Sequence, residues 1–310
     1  QILSGNSVQD GPALPLLRSL MPEEVLGASF RVYIGVKGDK IIKKYQHRIP
    51  RKSEGYFLKI EKDCIVIAGA DERGAYYGVQ TLAQLLALDK LPLAEVTDYP
   101  DVPYRGVVEG FYGAPWSQEA CIRQLDFYGR NKMNVYIYGP KDDPYHRTPN
   151  WRKPYPAREG EELKVLVNRA KENNVIFYWA IHPGQDIRWN EEDRSLLLQK
   201  FESMYQLGVR GFAVFFDDIS GEGTKADKQA ELLNYIDDHF VKVKRDVAPL
   251  ILCPTEYNKS WTDVEGGYLT TLGDKLNEGI KVMWTGDMVV ATIDKSTLDF
   301  VNPLLKRKAY

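Results

Sequence analysis

The sequence predicts an α/β fold: a (β/α)8 TIM-type barrel, truncated after about six β/α units and preceded by a small α+β domain. Three observations carry this. From about residue 105, short apolar runs alternate with helical stretches, and strand–helix repetition builds a parallel sheet. The runs are continuous, as in Gly211-Phe212-Ala213-Val214-Phe215-Phe216, which marks strands covered on both faces. Polar and aromatic residues follow each run, on the rim where α/β barrels carry their chemistry.

The first domain is expected over residues 1–100. Phe30, Val32, Ile34 and Val36 alternate with Arg31, Tyr33 and Gly35, the period of a half-buried strand. Tyr56, Leu58 and Ile60 repeat the pattern, and Ile65-Val66-Ile67 gives a third strand. A helix opens at Asp71 and runs through Tyr76, Val79, Leu82 and Leu85-Leu86, with Tyr77 on its flank. Nothing here groups into a catalytic set, so a packing domain is expected. Leu91 to Pro103 is Pro-rich and polar and reads as a linker.

The second domain is expected over residues 101–310. Strands are placed at 105–110, 134–138, 175–181, 211–216, 250–253 and 280–285. Helices begin near Ser117, Glu159, Asn190, Thr224, Tyr268 and Ser296. Ser117, Asn190, Thr224 and Ser296 are favourable N-cap types, and Asp193, Asp227 and Asp299 suit the first turns of the last three. A closed barrel needs eight units, so six leave two readings, a doubly wound open sheet or a barrel cut short at Tyr310. The second is preferred.

Composition limits the functions open to such a fold. The 310 residues are 44% hydrophobic and 27% charged, with a net charge of -2. That balance supplies no field for nucleic acid or an anionic membrane. Cys64, Cys121 and Cys253 are too few and too scattered for a disulfide framework or zinc cluster. No run reaches the roughly 18 apolar residues of a membrane span. Gln1 stands without an initiator Met or signal peptide, which reads as a processed or trimmed N-terminus. No cofactor is expected: Gly221-Glu222-Gly223 lacks a third Gly, and no P-loop Lys follows. No metal is expected either, since His146 and His182 lack ligand spacing and read instead as hydrogen-bonded loop histidines.

The candidate chemistry centres on Asp217-Asp218, at the tip of the fourth barrel strand. Alternation along a strand sends neighbours to opposite faces. Both carboxylates enter one pocket only where the strand loses regularity, and the Ser220-Gly221 break is expected to allow it. Repulsion would raise the pKa of one, leaving an anion beside an acid. Glycoside hydrolysis asks for such a division. A helix N-cap or metal-ligand pair is the plainer alternative. Lys141 reads either as a sugar-hydroxyl donor or as the partner of Asp142, Asp143 or another acid. Glu256 reads as a second acid or a buried structural group. Trp116 and Trp261 read as pocket walls or packing.

Three segments then stand out in order: Arg105-Gly106-Val107-Val108-Glu109-Gly110-Phe111-Tyr112-Gly113, Tyr138-Gly139-Pro140-Lys141-Asp142-Asp143-Pro144 and Phe215-Phe216-Asp217-Asp218-Ile219. They resemble glycoside hydrolase family 84, the O-GlcNAcases and hyaluronidase-type bacterial β-N-acetylglucosaminidases. Cys253-Pro254-Thr255-Glu256-Tyr257-Asn258 and Met283-Trp284-Thr285-Gly286 fit the same pattern. The resemblance looks closest to the bacterial enzymes and extends through their N-terminal domain.

The resemblance implies retaining, substrate-assisted hydrolysis, in which the sugar's 2-acetamido oxygen forms an oxazoline. Asp217 would hold the acetamido N–H, and Asp218 would be general acid, then base. Tyr257 would hydrogen-bond the acetamido group, while Cys253, Trp261 and Thr285 would line its pocket. Gly110 and Lys141 would contact sugar hydroxyls, Tyr112 the leaving-group wall and Val289 the aglycone. The family's next strand, with an Asn and an Asp for outer hydroxyls, lies beyond Tyr310. The implied partners are β-GlcNAc glycoconjugates, O-GlcNAc-modified peptides or glycans, and the implied location is periplasmic or secreted. The alternatives are a binding-only barrel, a hexosaminidase for other GlcNAc or GalNAc conjugates, and a metal-dependent hydrolase.

Overall fold

The computed structural model describes residues 1–310 except Glu24 and Leu26. It divides into two compact units, one of Gln1–Gly106, Ile122–Asn134 and Arg169–Val175, the other of Val107–Cys121, Val135–Asn168 and Ile176–Tyr310.

The first unit contains β1 (Ile2–Ser4), α1 (Ala13–Leu20), β2 (Arg31–Val36), β3 (Tyr56–Ile60), β4 (Cys64–Gly69), α2 (Glu72–Leu86) and β5 (Ala94–Asp98). Its sheet runs β1-β2-β4-β3-β5, with β3 antiparallel to both neighbours. The period-2 alternation of β4 divides the core in two. Ile65 and Ile67 pack with Leu14, Leu17, Val79 and Leu82, whereas Val66 and Ala68 pack with Ile42 and Phe57. Asp71 caps α2 as expected, accepting the Gly74 N–H at 2.8 Å.

Two expectations are corrected in this unit. Tyr77, expected on the helix flank, is 2% exposed and sits in the core. The stretch read as a linker contains β5, an edge strand paired with β3. Its flanking prolines hid it, and an edge tolerates them because one side of the strand needs no ladder bonds.

From Gly106 onward the chain repeats strand and helix: β6 (Gly106–Glu109), α3 (Gln118–Arg130), β7 (Val135–Tyr138), α4 (Ala157–Glu172), β8 (Ile176–Ile181), α5 (Glu191–Gln206), β9 (Gly211–Phe215), α6 (Ala226–Ile236), β10 (Ile251–Cys253), α7 (Tyr268–Lys275), β11 (Lys281–Val282) and α8 (Lys295–Leu305). The sheet order follows the chain from β6 to β11 without reversal. A doubly wound sheet reverses its order at a switch point. This curled, singly wound parallel sheet is six strands of a (β/α)8 barrel. At its last edge the Tyr310 N–H donates to the Val282 carbonyl at 2.8 Å.

All five residues of β9 are buried. Phe212 meets Phe201 of α5 as a tilted pair at 4.7 Å and Phe240 edge-on at 4.9 Å, each ring contributing about 1.5–3 kcal/mol by burial. That packing fixes the strand whose tip carries the carboxylates. Asn190 caps α5 and Ser117 accepts the Ala120 N–H, as their residue types predict. Thr224 and Ser296 do not cap. Thr224 closes a short 3-10 turn before α6, and Asp294 takes the role at α8 by accepting the Thr297 N–H at 3.0 Å. Among the described residues, no helix is long and apolar enough to cross a membrane.

Candidate active site

The tip of β9 delivers two carboxylates into one cluster by a backbone turn. Phe216 remains in the ladder, its N–H donating to the Cys253 carbonyl at 2.9 Å. Asp218 then adopts φ 54, in the left-handed region. Non-glycine residues seldom enter that region, though Asp is among the more tolerant. The regularity therefore ends at Asp218 itself, three residues before Gly221, the break expected from the sequence. Strain at this place is of the kind functional sites hold.

Asp217 is held from two sides. Lys141, just past β7, puts Nζ 2.5 Å from Oδ2, and His182, just past β8, puts Nε2 3.4 Å from Oδ1. The side chains of Lys141 and His182 are each 2% exposed, and that of Asp217 is 14% exposed. Burial pushes the Asp217 carboxyl up, but the His182 contact and the Lys141 charge outweigh it and hold the group well below the usual carboxylate range. Asp217 is thus an anion. Its Oδ1 is buried and accepts no hydrogen bond among the described residues.

Asp218 is more exposed, and both its oxygens face phenols. Tyr112 donates to Oδ2 and Tyr257 to Oδ1, each at 3.1 Å. Burial and the Asp218 charge raise both phenols, so they stay protonated as donors. Cys253, partly buried, has its thiol pushed well up by burial and by Asp217, and it remains neutral. The Trp261 ring packs edge-on against Tyr257 at 5.0 Å. Thr285 donates its N–H to the Tyr257 carbonyl at 2.9 Å and its hydroxyl to the Met288 carbonyl at 2.9 Å.

The remaining expected residues lie at the edge of this cluster. Gly110 follows β6, between two carbonyls: Glu109 accepts the Gly139 N–H and Phe111 the Lys141 N–H. Val289 is 44% exposed on the turn after Thr285 and touches no member of the cluster by hydrogen bond or ring contact. Glu256 is not in the cluster; it accepts the Asp263 N–H at 3.1 Å. Lys141 pairs neither with Asp142 nor with Asp143, and its acid is Asp217. A separate cleft of about 260 Å³, lined by Trp116, Tyr138, Asp143, Tyr145 and Tyr155 among others, holds neither carboxylate.

Sequence reasoning missed two supports. His182, read as an ordinary hydrogen-bonded loop histidine, touches Asp217 directly. Glu109 is fully buried and accepts the Trp116 N–H at 2.8 Å and a short hydrogen bond from the Tyr136 hydroxyl. It thereby pins the loop that presents Tyr112. Its position at a strand end before Gly110 was the available signal.

Residues 105–310 match the family described as beta-N-acetylglucosaminidase. The chain belongs to this family, glycoside hydrolase family 84. Residues 33–99 match domain 2 of glycosyl hydrolase family 20. A Protein O-GlcNAcase from Rattus norvegicus is 36% identical over 212 residues, which are 65% of this chain and 23% of that protein. The solved structure of CpGH84B superposes with a TM-score of 0.91 at 37% identity, covering 100% of this chain and 57% of that one. An O-GlcNAc hydrolase variant from Thermobaculum terrenum does so with a TM-score of 0.62 at 32% identity, over 67% of this chain and 46% of that one. The family 84 chain therefore spans about a quarter of the curated relative and just over half of CpGH84B.

Proposed function

We propose that this family 84 chain carries the catalytic carboxylates of a retaining β-N-acetylglucosaminidase that removes O-linked GlcNAc from glycoconjugates such as modified peptides. The observation that carries the reading is the unequal pair itself. Asp217 is a buried anion with one oxygen short of a donor, and Asp218 beside it is open and lined by phenols.

A substrate acetamido N–H supplies the donor that Asp217 Oδ1 lacks. The hydrogen bond makes the acetamido oxygen a better nucleophile, and the fixed negative charge stabilises the oxazolinium that develops. That oxygen attacks the anomeric carbon as the glycosidic C–O bond breaks, and Asp218 gives its proton to the leaving oxygen. Asp218, now ionised, takes a proton from water. The water attacks the same carbon and reopens the ring, so two inversions retain the configuration. Substrate-assisted families are the recognised exception to the two-carboxylate nucleophile scheme. Tyr257 orients the acetamido group from beside Asp218. Cys253, Trp261 and Thr285 form its pocket, a neutral lining suited to a methyl. Lys141 keeps hydrogens for a sugar hydroxyl beside Gly110, Tyr112 flanks the leaving group, and the exposed Val289 meets the aglycone.

The test is hydrolysis of an aryl β-N-acetylglucosaminide and its N-trifluoroacetyl analogue. Fluorine withdraws electrons from the amide oxygen, so the analogue is expected to react far more slowly. Equal rates overturn the acetamido as nucleophile.

A further inference from the structure

His182 touches more than the Asp217 side chain. Its Nε2 also lies 2.8 Å from the Asp217 main-chain oxygen. A carbonyl only accepts, so Nε2 carries the hydrogen. That carbonyl belongs to the peptide joining Asp217 to Asp218, and Asp218 turns off it at φ 54.

The histidine is itself fixed. Its N–H donates to the His146 carbonyl at 2.7 Å, and Arg147 forms a parallel bridge with it. The His146 ring is fully buried 6.2 Å away at 65°, with Nδ1 donating to the Ala180 carbonyl at 3.1 Å. Burial pushes His146 down to about 3, so it adds no charge beside Asp217.

We infer that His182 is a positioning residue for both carboxylates: its Nε2–H pins the peptide between Asp217 and Asp218 and holds the left-handed turn that sets both side chains in one pocket. This rests on the proposed roles of the pair. Lys141 grips one oxygen of one carboxylate, whereas the histidine holds the backbone from which both depart. A residue acting this way governs the geometry of proton delivery and of the Asp217 hold on the acetamido group, while the sugar-hydroxyl contacts stay intact.

The test compares His182→Leu, which donates nothing, with His182→Gln, whose amide reaches about as far as Nε2. Two β-N-acetylglucosaminides are used, one with a nitrophenolate that departs without a proton and one with an alkoxide-like leaving group that needs it. His182→Leu is expected to lower kcat on the proton-requiring substrate by about 100-fold, the cost of a displacement near 1 Å. The loss on the nitrophenyl substrate is expected to be smaller and KM nearly unchanged, with most of the rate restored in His182→Gln. If His182→Leu does not fold, His182→Asn replaces it, because the shorter amide stops short of the carbonyl.

Asp218→Asn is the control. If it fails to discriminate between the two leaving groups, the reading of the pair falls and the positioning role with it. If Asp218→Asn discriminates while the donor-deficient His182 variant slows both substrates equally, or neither, the positioning role alone is overturned.

Discussion

Lys141 and Asp217 are 76 residues apart in the chain, yet their Nζ and Oδ2 atoms meet at 2.5 Å with the lysine side chain 2% exposed. The ends of β7 and β9 are thereby tied by a buried charge pair, and its energetics are testable.

Lys141→Met leaves Asp217 to burial, which pushes its carboxyl up, with only His182 opposing. The acid limb of the kcat/KM–pH profile is expected to move to higher pH. At pH 7 the variant is expected to lose about 3 kcal/mol, the usual cost of stranding one member of a buried pair. The sign with pH follows from linkage. A carboxyl depressed in the folded state contributes stability fully above its unfolded value of about 3.9, and loses it as pH falls toward the folded value. The gap between the proteins should therefore shrink below about pH 4, where the variant's Asp217 neutralises. Urea midpoints at the two pH values check this, and a constant gap contradicts it.

Asp218 pays for its position in backbone strain, so stability and activity should separate there. With φ 54, Asp218→Gly is expected to be more stable than Asp218→Ala by about 1 kcal/mol, because only a side chain suffers in the left-handed region. Both lose the proposed acid and should fail on unactivated leaving groups. Thermal melts of the two variants decide, and equal stability removes the strain.

Tyr257→Phe deletes the hydroxyl on Asp218 Oδ1 and leaves the backbone carbonyl that anchors Thr285 in place. The expected loss in kcat is about 100-fold, as for one donor removed from a charge-stabilising set. The stability change should stay near 1 kcal/mol. An unchanged kcat would mean the phenol only fills space.

The legible parts of the sequence were those where burial writes a pattern. The runs of β8 and β9 are apolar throughout because both faces are covered, so strands and strand-end residues were found together. The pattern failed where burial is partial or the partner is remote. β5 is a short edge strand between prolines, and α1 carries Pro15 within its first turn. Thr224 and Ser296 are suitable caps by type, but the chain reaches each helix through a turn that puts Lys225 or Asp294 at the boundary. A lone histidine has no periodicity, so the role of His182 depends on a carbonyl 35 residues away. Asp217 and Asp218 were found because adjacency is itself a signal. Repulsion and the family resemblance already divided them into an anion and an acid; what the sequence did not show is that Lys141 and His182 are the groups that hold Asp217 ionised.

The loop after β9 packs against the loop after β8 with no room for a side chain. A Cβ on Gly223 would stand 1.9 Å from the Gly184 carbonyl oxygen, a backbone atom that cannot swing away. Gly223→Ala must therefore push the two loops apart, and these loops carry Asp218 and His182. The expected cost is about 1–3 kcal/mol, as for overpacking a close contact. A fall in kcat should accompany it, because the displaced loop follows directly on the carboxylate pair. Gly279→Ala is the control, since nothing lies within 4 Å of its Cβ position. It should change neither quantity by much, so similar losses in the two variants would show that the loop contact has no special role.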